Sequence, residues 1–548
     1  MLKYPARTHT LAANLVCLLS LSLGVACSSS AGDSSASGGS ASGGSANGGS
    51  GSGGGSGASV GSGGSAGSAN GGSANGGSGS GGGYQGSGGA NNGETGATSG
   101  GAAGAQAITE NDWVETATQN TSTFGADVDT ASYSQMRSSL AQGSWPPAPG
   151  VRVEEYVNYF RYDYPEATDT PFSVNFELAP SEFGAAGQEL FRVGLKGKQV
   201  PLSERKPANL VFLVDVSGSM GAPNKLPLVQ WSLQQLVKKL EPTDRLGIVV
   251  YAGRDAVLLE PTPVEDQSQV LDAIYSLTAG GGTNGAAGIQ RAYRMAESAY
   301  RSNGINRVVL CTDGDFNVGL TGAPLVSEIE AYRAKGINLS VLGFGIGNND
   351  SLMESLADHG DGNYAYIDTQ NEALKVLGDN LVSTLQVIAK DVKIQVEFSA
   401  DSVDRYRLIG YENRLLANED FIDDTKDAGD MGAGHFVTSL YEIERHADAT
   451  EGLMATVRLR YKEPTSAVSQ ELLFDFDLSA ARASFSEASA DFRFAAGVVE
   501  FAEILRGSKH STGQRFEDVL SIVEATQGDD PLRAEFHGLV VRAQGISH

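Results

Sequence analysis

Cysteine is scarce in this sequence. The 548 residues carry three, and Cys17 and Cys27 fall in or beside an apolar N-terminal run, which leaves Cys311 alone in sequence patterned like a folded core. No disulfide framework is available, so the fold must be held by its core. Basic residues are also few, 39 Lys and Arg against 65 Asp and Glu, for a formal net charge of −26. Such an acidic chain is a poor partner for nucleic acid or for anionic lipid surfaces. Histidine is rarer still, seven in all, and no H-E-x-x-H pair is present to hold a catalytic zinc. After residue 26 no apolar run is long enough to span a bilayer.

Residues 1–26 read as an export signal. Lys3 and Arg7 give a short basic start, Leu15, Val16, Leu18, Leu19, Leu21 and Leu23 an apolar run, and small Gly24, Val25 and Ala26 precede Cys27. Its removal takes away two positive charges, −26 − 2 = −28. The stretch resembles a bacterial lipoprotein signal, with Leu23 one place earlier than that pattern usually has it; the same small residues also suit an ordinary secretory cleavage site. The resemblance implies lipid on Cys27 and a cell-envelope anchor, with Ser28 favouring the outer membrane or cell surface, and no thiol left to pair with Cys311. From 27 to 106 the chain is nearly all Gly, Ser, Ala and Asn, charged only at Asp33 and Glu94 and aromatic only at Tyr84. Unable to bury apolar area, it reads as a disordered tether. About 80 residues of such coil reach roughly 50 Å r.m.s..

Residues 107–205 mix helical stretches at 130–141 and 152–160 with alternating runs at Phe172, Val174, Phe176 and at Phe191, Val193, Leu195, a small α+β domain. The Tyr156, Tyr159, Phe160, Tyr162, Tyr164 cluster is expected to pack against the domain that follows. Over 206–389 the runs 210–214, 246–251, 308–311, 339–344 and 364–367 are continuously apolar, as strands covered on both faces must be. Helical stripes such as Leu226, Val229, Leu233, Leu236, Val237, Leu240 separate them. This alternation predicts an α/β fold with a doubly wound, mostly parallel sheet. The run at 257–259 follows its predecessor too closely for a helical crossover and is expected as an antiparallel edge strand. Residues 390–548 return to half-buried alternation at 392–398, 436–441, 455–461 and 471–478, a β-sandwich-like domain closed by terminal helices.

Three segments carry the chemistry: Val214-Asp215-Val216-Ser217-Gly218-Ser219-Met220, Gly280-Gly281-Gly282-Thr283-Asn284 and Cys311-Thr312-Asp313-Gly314-Asp315. The first and third follow apolar strands and the second opens a helix. All three thus fall on the carboxyl edge of the sheet, where open α/β folds bind ligands. Asp215, Ser217, Ser219, Thr283 and Asp313 offer three hydroxyls and two carboxylates, an oxygen set for a hard cation such as Mg²⁺, or Mn²⁺ or Ca²⁺, with a position left for an outside ligand.

These residues resemble, one for one, the metal-ion-dependent adhesion site of von Willebrand factor A domains. The resemblance implies that Ser217 and Ser219 bind the metal directly, Thr283 directly or through water, and Asp215 and Asp313 mostly through water. It also implies a protein partner that offers an Asp or Glu to the metal. Further stretches extend the likeness: Phe124-Gly125-Ala126-Asp127-Val128-Asp129-Thr130, Val153-Glu154-Glu155 and Leu408-Ile409-Gly410-Tyr411-Glu412-Asn413-Arg414. They resemble a bacterial exported family of von Willebrand factor A-domain proteins with their own N- and C-terminal domains. In some related A domains the final helix shifts when the metal gains its acidic ligand. Here the helix expected at 372–388 runs almost directly into a strand at Val392, so such movement would pass to the C-terminal domain; the alternative is that this helix is simply the last layer of a rigid fold.

No nucleophile–base pair accompanies these motifs, and no catalytic residue is assigned. The reading is a metal-dependent protein-binding module; the alternatives are a structural cell-envelope protein and a metal-dependent hydrolase. Asp423, Asp424, Asp427 and Asp430 lack EF-hand spacing and read as a solvated acidic turn.

Overall fold

The computed structural model describes residues 108–282, 285–314, 322–345, 349–511, 513 and 515–546; the export signal, Cys27, the tether and Thr283 lie outside the described residues. The chain first forms β1 (Val114–Glu115), β2 (Thr121–Gly125), α1 (Ala131–Ala141), α2 (Val153–Val157), β3 (Phe172–Pro180) and β4 (Glu189–Gly197). Next come β5 (Ala208–Asp215), α3 (Leu226–Val237), β6 (Arg245–Tyr251), β7 (Asp255–Pro263), α4 (Gln267–Tyr275), α5 (Gly285–Ser298) and β8 (Ile305–Thr312). They continue into α6 (Ala323–Arg333), β9 (Asn338–Phe344), α7 (Asp350–His359), β10 (Tyr364–Ile367), α8 (Gln370–Leu374) and α9 (Leu381–Leu385). The remainder is β11 (Val387–Phe398), β12 (Val403–Ile409), β13 (Met431–Gly432), β14 (Phe436–Arg445), β15 (Leu453–Lys462), β16 (Ser469–Asp477), α10 (Ala490–Arg506), α11 (Phe516–Thr526) and α12 (Pro531–Ile546).

The central sheet runs β10-β9-β8-β5-β6-β7. All its pairings are parallel except β6–β7, which puts Val257–Leu259 on an antiparallel edge as expected. Alternation along β5 shows why the run is continuously apolar. Leu210, Phe212 and Val214 join a core with α3, α4, α8 and α9, while Val211 and Leu213 join another with α5, α6 and α7. Each side chain of that size, taken wholly out of water, contributes about 1.5–3 kcal/mol. No described helix is long and apolar enough to cross a membrane.

The flanking segments depart from the expected pair of separate domains at 107–205 and 390–548. Their strands interleave in shared sheets, β1-β12-β14-β4-β3 in one and β13-β11-β15-β16 in the other, with β2 added to β11. Phe124, Phe191 and Leu195 from the first flank share one core with Val396, Tyr441 and Val457 from the second. The α/β region is therefore an insertion between β4 and β11 of one sandwich. Period-2 alternation marks a half-buried strand but not its partner, so chain order suggested two domains where pairing makes one.

Helices cross the chain in the same way. Tyr156, Tyr159, Phe160, Tyr162 and Tyr164 are buried in a core with α10, α11 and α12, and Tyr159 also meets the segment that follows, its hydroxyl donating to Glu372 Oε2 at 2.6 Å. Phe160 sits edge-on to Phe494 and Phe536 at 4.9 and 5.4 Å between ring centroids.

The last helix of the insertion is broken where one helix over 372–388 was expected. α8 passes into a π-helical turn, Lys375–Asp379, then α9, and β11 starts at Val387. β-branched Val387 and Ile388 favour the strand, and Val387 pairs with Gly432. Gln386 alone separates helix from strand. Arg137 of α1 clamps the start of this helix, with Nη2 donating to Asp368 Oδ1 at 2.6 Å and to Glu372 Oε2 at 2.7 Å. A cavity of about 670 Å³ opens beside that clamp, and its lining shares no residue with the three metal segments.

Candidate metal centre

The strand order of the central sheet reverses at β5. From β5 the chain crosses one face through α3 to β6, and from β8 it crosses the other through α6 to β9. The adjoining carboxyl ends of β5 and β8 therefore open a crevice between diverging connections. Asp215 closes β5, Thr312 closes β8 and Asp313 follows it, with Val214 and Cys311 in register one step inside.

Asp215 is wholly buried. Its Oδ1 accepts the Ser217 amide at 2.8 Å, and its Oδ2 accepts the Thr312 hydroxyl at 3.5 Å. Tyr251, at the end of β6, brings its hydroxyl to the same carboxylate. Burial raises the Asp215 carboxyl above its usual range; hydrogen bonds from Ser217 oppose this, and the Asp313 charge adds to it. These partners turn the chain so that Ser217 and Ser219 bring their Oγ atoms to 2.9 Å of each other.

The Gly-rich loop is stapled to that turn. Gly218 N donates to Gly281 O at 3.0 Å and Gly280 N to Val216 O at 2.7 Å. Its approach brings the chain to the turn immediately before Thr283, whose own placement is outside the described residues. On the other side Asp313 is nearly buried, 2% exposed at the side chain. Its Oδ2 accepts the Lys225 ammonium at 2.8 Å, while Oδ1 is buried with no hydrogen bond among the described residues.

Four of the five proposed ligands are thus brought to one strand-end crevice. Two hydroxyls in contact, a buried carboxylate beside them and a second carboxylate with an uncommitted oxygen fit a hard, oxygen-seeking cation, not a thiophilic one. Among the described residues no group of three or more His, Cys, Asp or Glu side chains is arranged to hold a metal. The acidic turn is accounted for by its neighbours, since Asp424 Oδ1 accepts from Arg460 and Ser469, and Asp427 pairs with Arg333. Cys311 is buried, and burial pushes its thiol well up, so it is core and not a nucleophile. The sequence pattern missed Lys225 and Tyr251: Lys225 stands six residues beyond Ser219 at a helix entry, and Tyr251 completes an apolar strand, so neither carries a local signal.

The family profile described as von Willebrand factor type A domain matches residues 209–380. One described as von Willebrand factor matches 102–191, and one described as Uncharacterized protein YfbK, C-terminal, matches 383–546. Protein YfbK of Escherichia coli (strain K12) is 38% identical over 473 residues, 81% of this chain and 81% of its own length. Protein sll0103 of Synechocystis is 29% identical over 188 residues, 34% of this chain and 44% of that protein. The solved structure of a von Willebrand factor type A protein from Catenulispora acidiphila covers 68% of this chain and 89% of its own, at 16% identity and a TM-score of 0.40.

Proposed function

Since the chain belongs to the YfbK family of von Willebrand factor type A domain proteins, we propose that it is a divalent-metal-dependent protein-binding module. Asp215, Ser217, Ser219, Thr283 and Asp313 hold the ion, Mg²⁺ or Mn²⁺. When bound, the ion supplies a Lewis-acidic position for a carboxylate of the partner. The observation that carries this reading is the convergence of the Ser217 and Ser219 hydroxyls, 2.9 Å apart, with buried Asp215 and the uncommitted Asp313 Oδ1. With few directly bound anions, an ion in such a site keeps its appetite for an acidic ligand.

The same reading has the module exported and presented from a membrane by lipid on Cys27 and the tether over 27–106. If palmitate labelling of the cells persists unchanged in Cys27→Ser, that anchor is wrong and simple secretion replaces it. Binding itself is tested by capturing envelope proteins on the immobilised full chain. Capture should need Mg²⁺, reverse with EDTA and vanish in Asp215→Ala. Capture indifferent to EDTA and to that substitution would mean the crevice is not the binding site.

A further inference from the structure

Lys225 enters the crevice along a built path. It stands immediately before α3, and its side chain is 18% exposed. The stem crosses Gly345, just past the end of β9, where a Cβ would fall 2.8 Å from Lys225 Cγ and 3.0 Å from its Cδ. Gly345 also has φ of +81°, so that position favours glycine twice over. The Lys225 ammonium then meets Asp313 Oδ2 at 2.8 Å, a charge-assisted hydrogen bond to a carboxylate that is itself 2% exposed. A lysine on a surface helix turn ordinarily extends to water; this one is led over a glycine into an acidic crevice.

Asp215 and Asp313 sum to −2, which a divalent ion cancels to zero. Counted over these described side chains alone, Lys225 makes the sum one unit more positive. Charges a few ångströms apart in a half-buried site interact strongly, so this ammonium opposes the metal and favours an anion.

Resting on the metal-binding reading above, we propose that Lys225 is a resident counter-charge of the metal centre: it occupies one oxygen of Asp313, weakens the hold on the divalent ion and leaves the loaded site one charge more positive, so that it favours an anionic ligand. The site then trades metal affinity for carboxylate affinity.

Calorimetric titration of the full chain with MnCl₂ tests this in wild type, Lys225→Met and Lys225→Arg. Methionine keeps an apolar stem over Gly345 without the charge, and arginine keeps the charge. Lys225→Met should bind Mn²⁺ at least about tenfold more tightly, and Lys225→Arg within about threefold of wild type. Acetate is the second probe, added to Mn²⁺-loaded protein and read by water-proton relaxation as bound water is displaced. It should act at lower concentration on wild type and Lys225→Arg than on Lys225→Met. Absence of Mn²⁺ binding by wild type would refute the metal centre itself. Binding by wild type with Lys225→Met unchanged or weaker, or with acetate acting equally on both, would overturn the counter-charge role while leaving the metal centre standing.

Discussion

Arg137 is a buried residue whose loss should cost this fold heavily. Its side chain is 7% exposed and joins α1 to the last helix of the insertion. It donates twice to Asp368, at 2.6 and 2.8 Å, once to Glu372 at 2.7 Å and once to the Tyr159 hydroxyl at 2.8 Å. Arg137→Met keeps the apolar stem but leaves Asp368, 6% exposed, and Glu372, 1% exposed, as buried carboxylates. Lys375, 3.9 Å from Glu372, answers only part of that charge. Breaking a buried pair from one side typically costs about 3–5 kcal/mol, a large share of an ordinary domain's stability. The cost should depend on pH. Burial raises the Glu372 carboxyl, yet Lys375, Arg137 and Tyr159 together hold it below its usual range. A depressed carboxyl contributes stability that is present above its unfolded value of about 4.3 and lost as pH falls through its folded one. The variant has little of that contribution to lose, so the gap should narrow on acidification. Urea unfolding followed through Trp113, Trp145 and Trp231 at pH 7.5 and pH 4 measures it. A gap below about 1 kcal/mol at pH 7.5, or the same gap at pH 4, would refute the clamp as a charge-pairing device.

Three other outcomes follow from the same structure. Glu154, raised to about 7 by burial and then by Glu412 and Asp127, destabilises the fold as pH climbs from about 4.3 towards that value; Glu154→Gln, which can still accept the Tyr411 amide, should gain in urea midpoint relative to wild type at pH 8 and not at pH 4. Phe160, 1% exposed among Tyr133, Phe494 and Phe536, should cost about 3–5 kcal/mol as Phe160→Ala, read from the same unfolding curves. Cys311, buried at the end of β8, should resist a thiol-specific disulfide reagent in the native chain and react on denaturation, and prompt native reaction would contradict its burial.

Much of the central fold was legible because its strands are unusually plain. A strand covered on both faces is apolar at every position, so 210–214 and 308–311 announce β5 and β8 without alignment. The proposed metal ligands stand in equally plain sequence, D-x-S-x-S, a Gly-rich Thr loop and a strand-end Asp in three short windows, and the structure brings Asp215, Ser217, Ser219 and Asp313 to one crevice. β12 was not visible: Val403–Ile409 places Arg405 and Arg407 on one face, which reads as solvent-facing, yet Arg407 is buried between Glu442 and Glu503. A charged residue paired across 35 and 96 positions of chain leaves no local signature. The shared sandwich escaped for the same reason, because β2 pairs with β11 across the whole insertion. Arg137 and Lys225 likewise gain their roles only from what tertiary packing brings to them.

Calorimetry with MnCl₂ on wild type, Asp215→Ala and Asp313→Ala, with urea unfolding to confirm that each variant is folded, decides whether the strand-end crevice holds a metal. One site per chain in wild type and none in either folded variant is the predicted result. Equal binding in all three would contradict it.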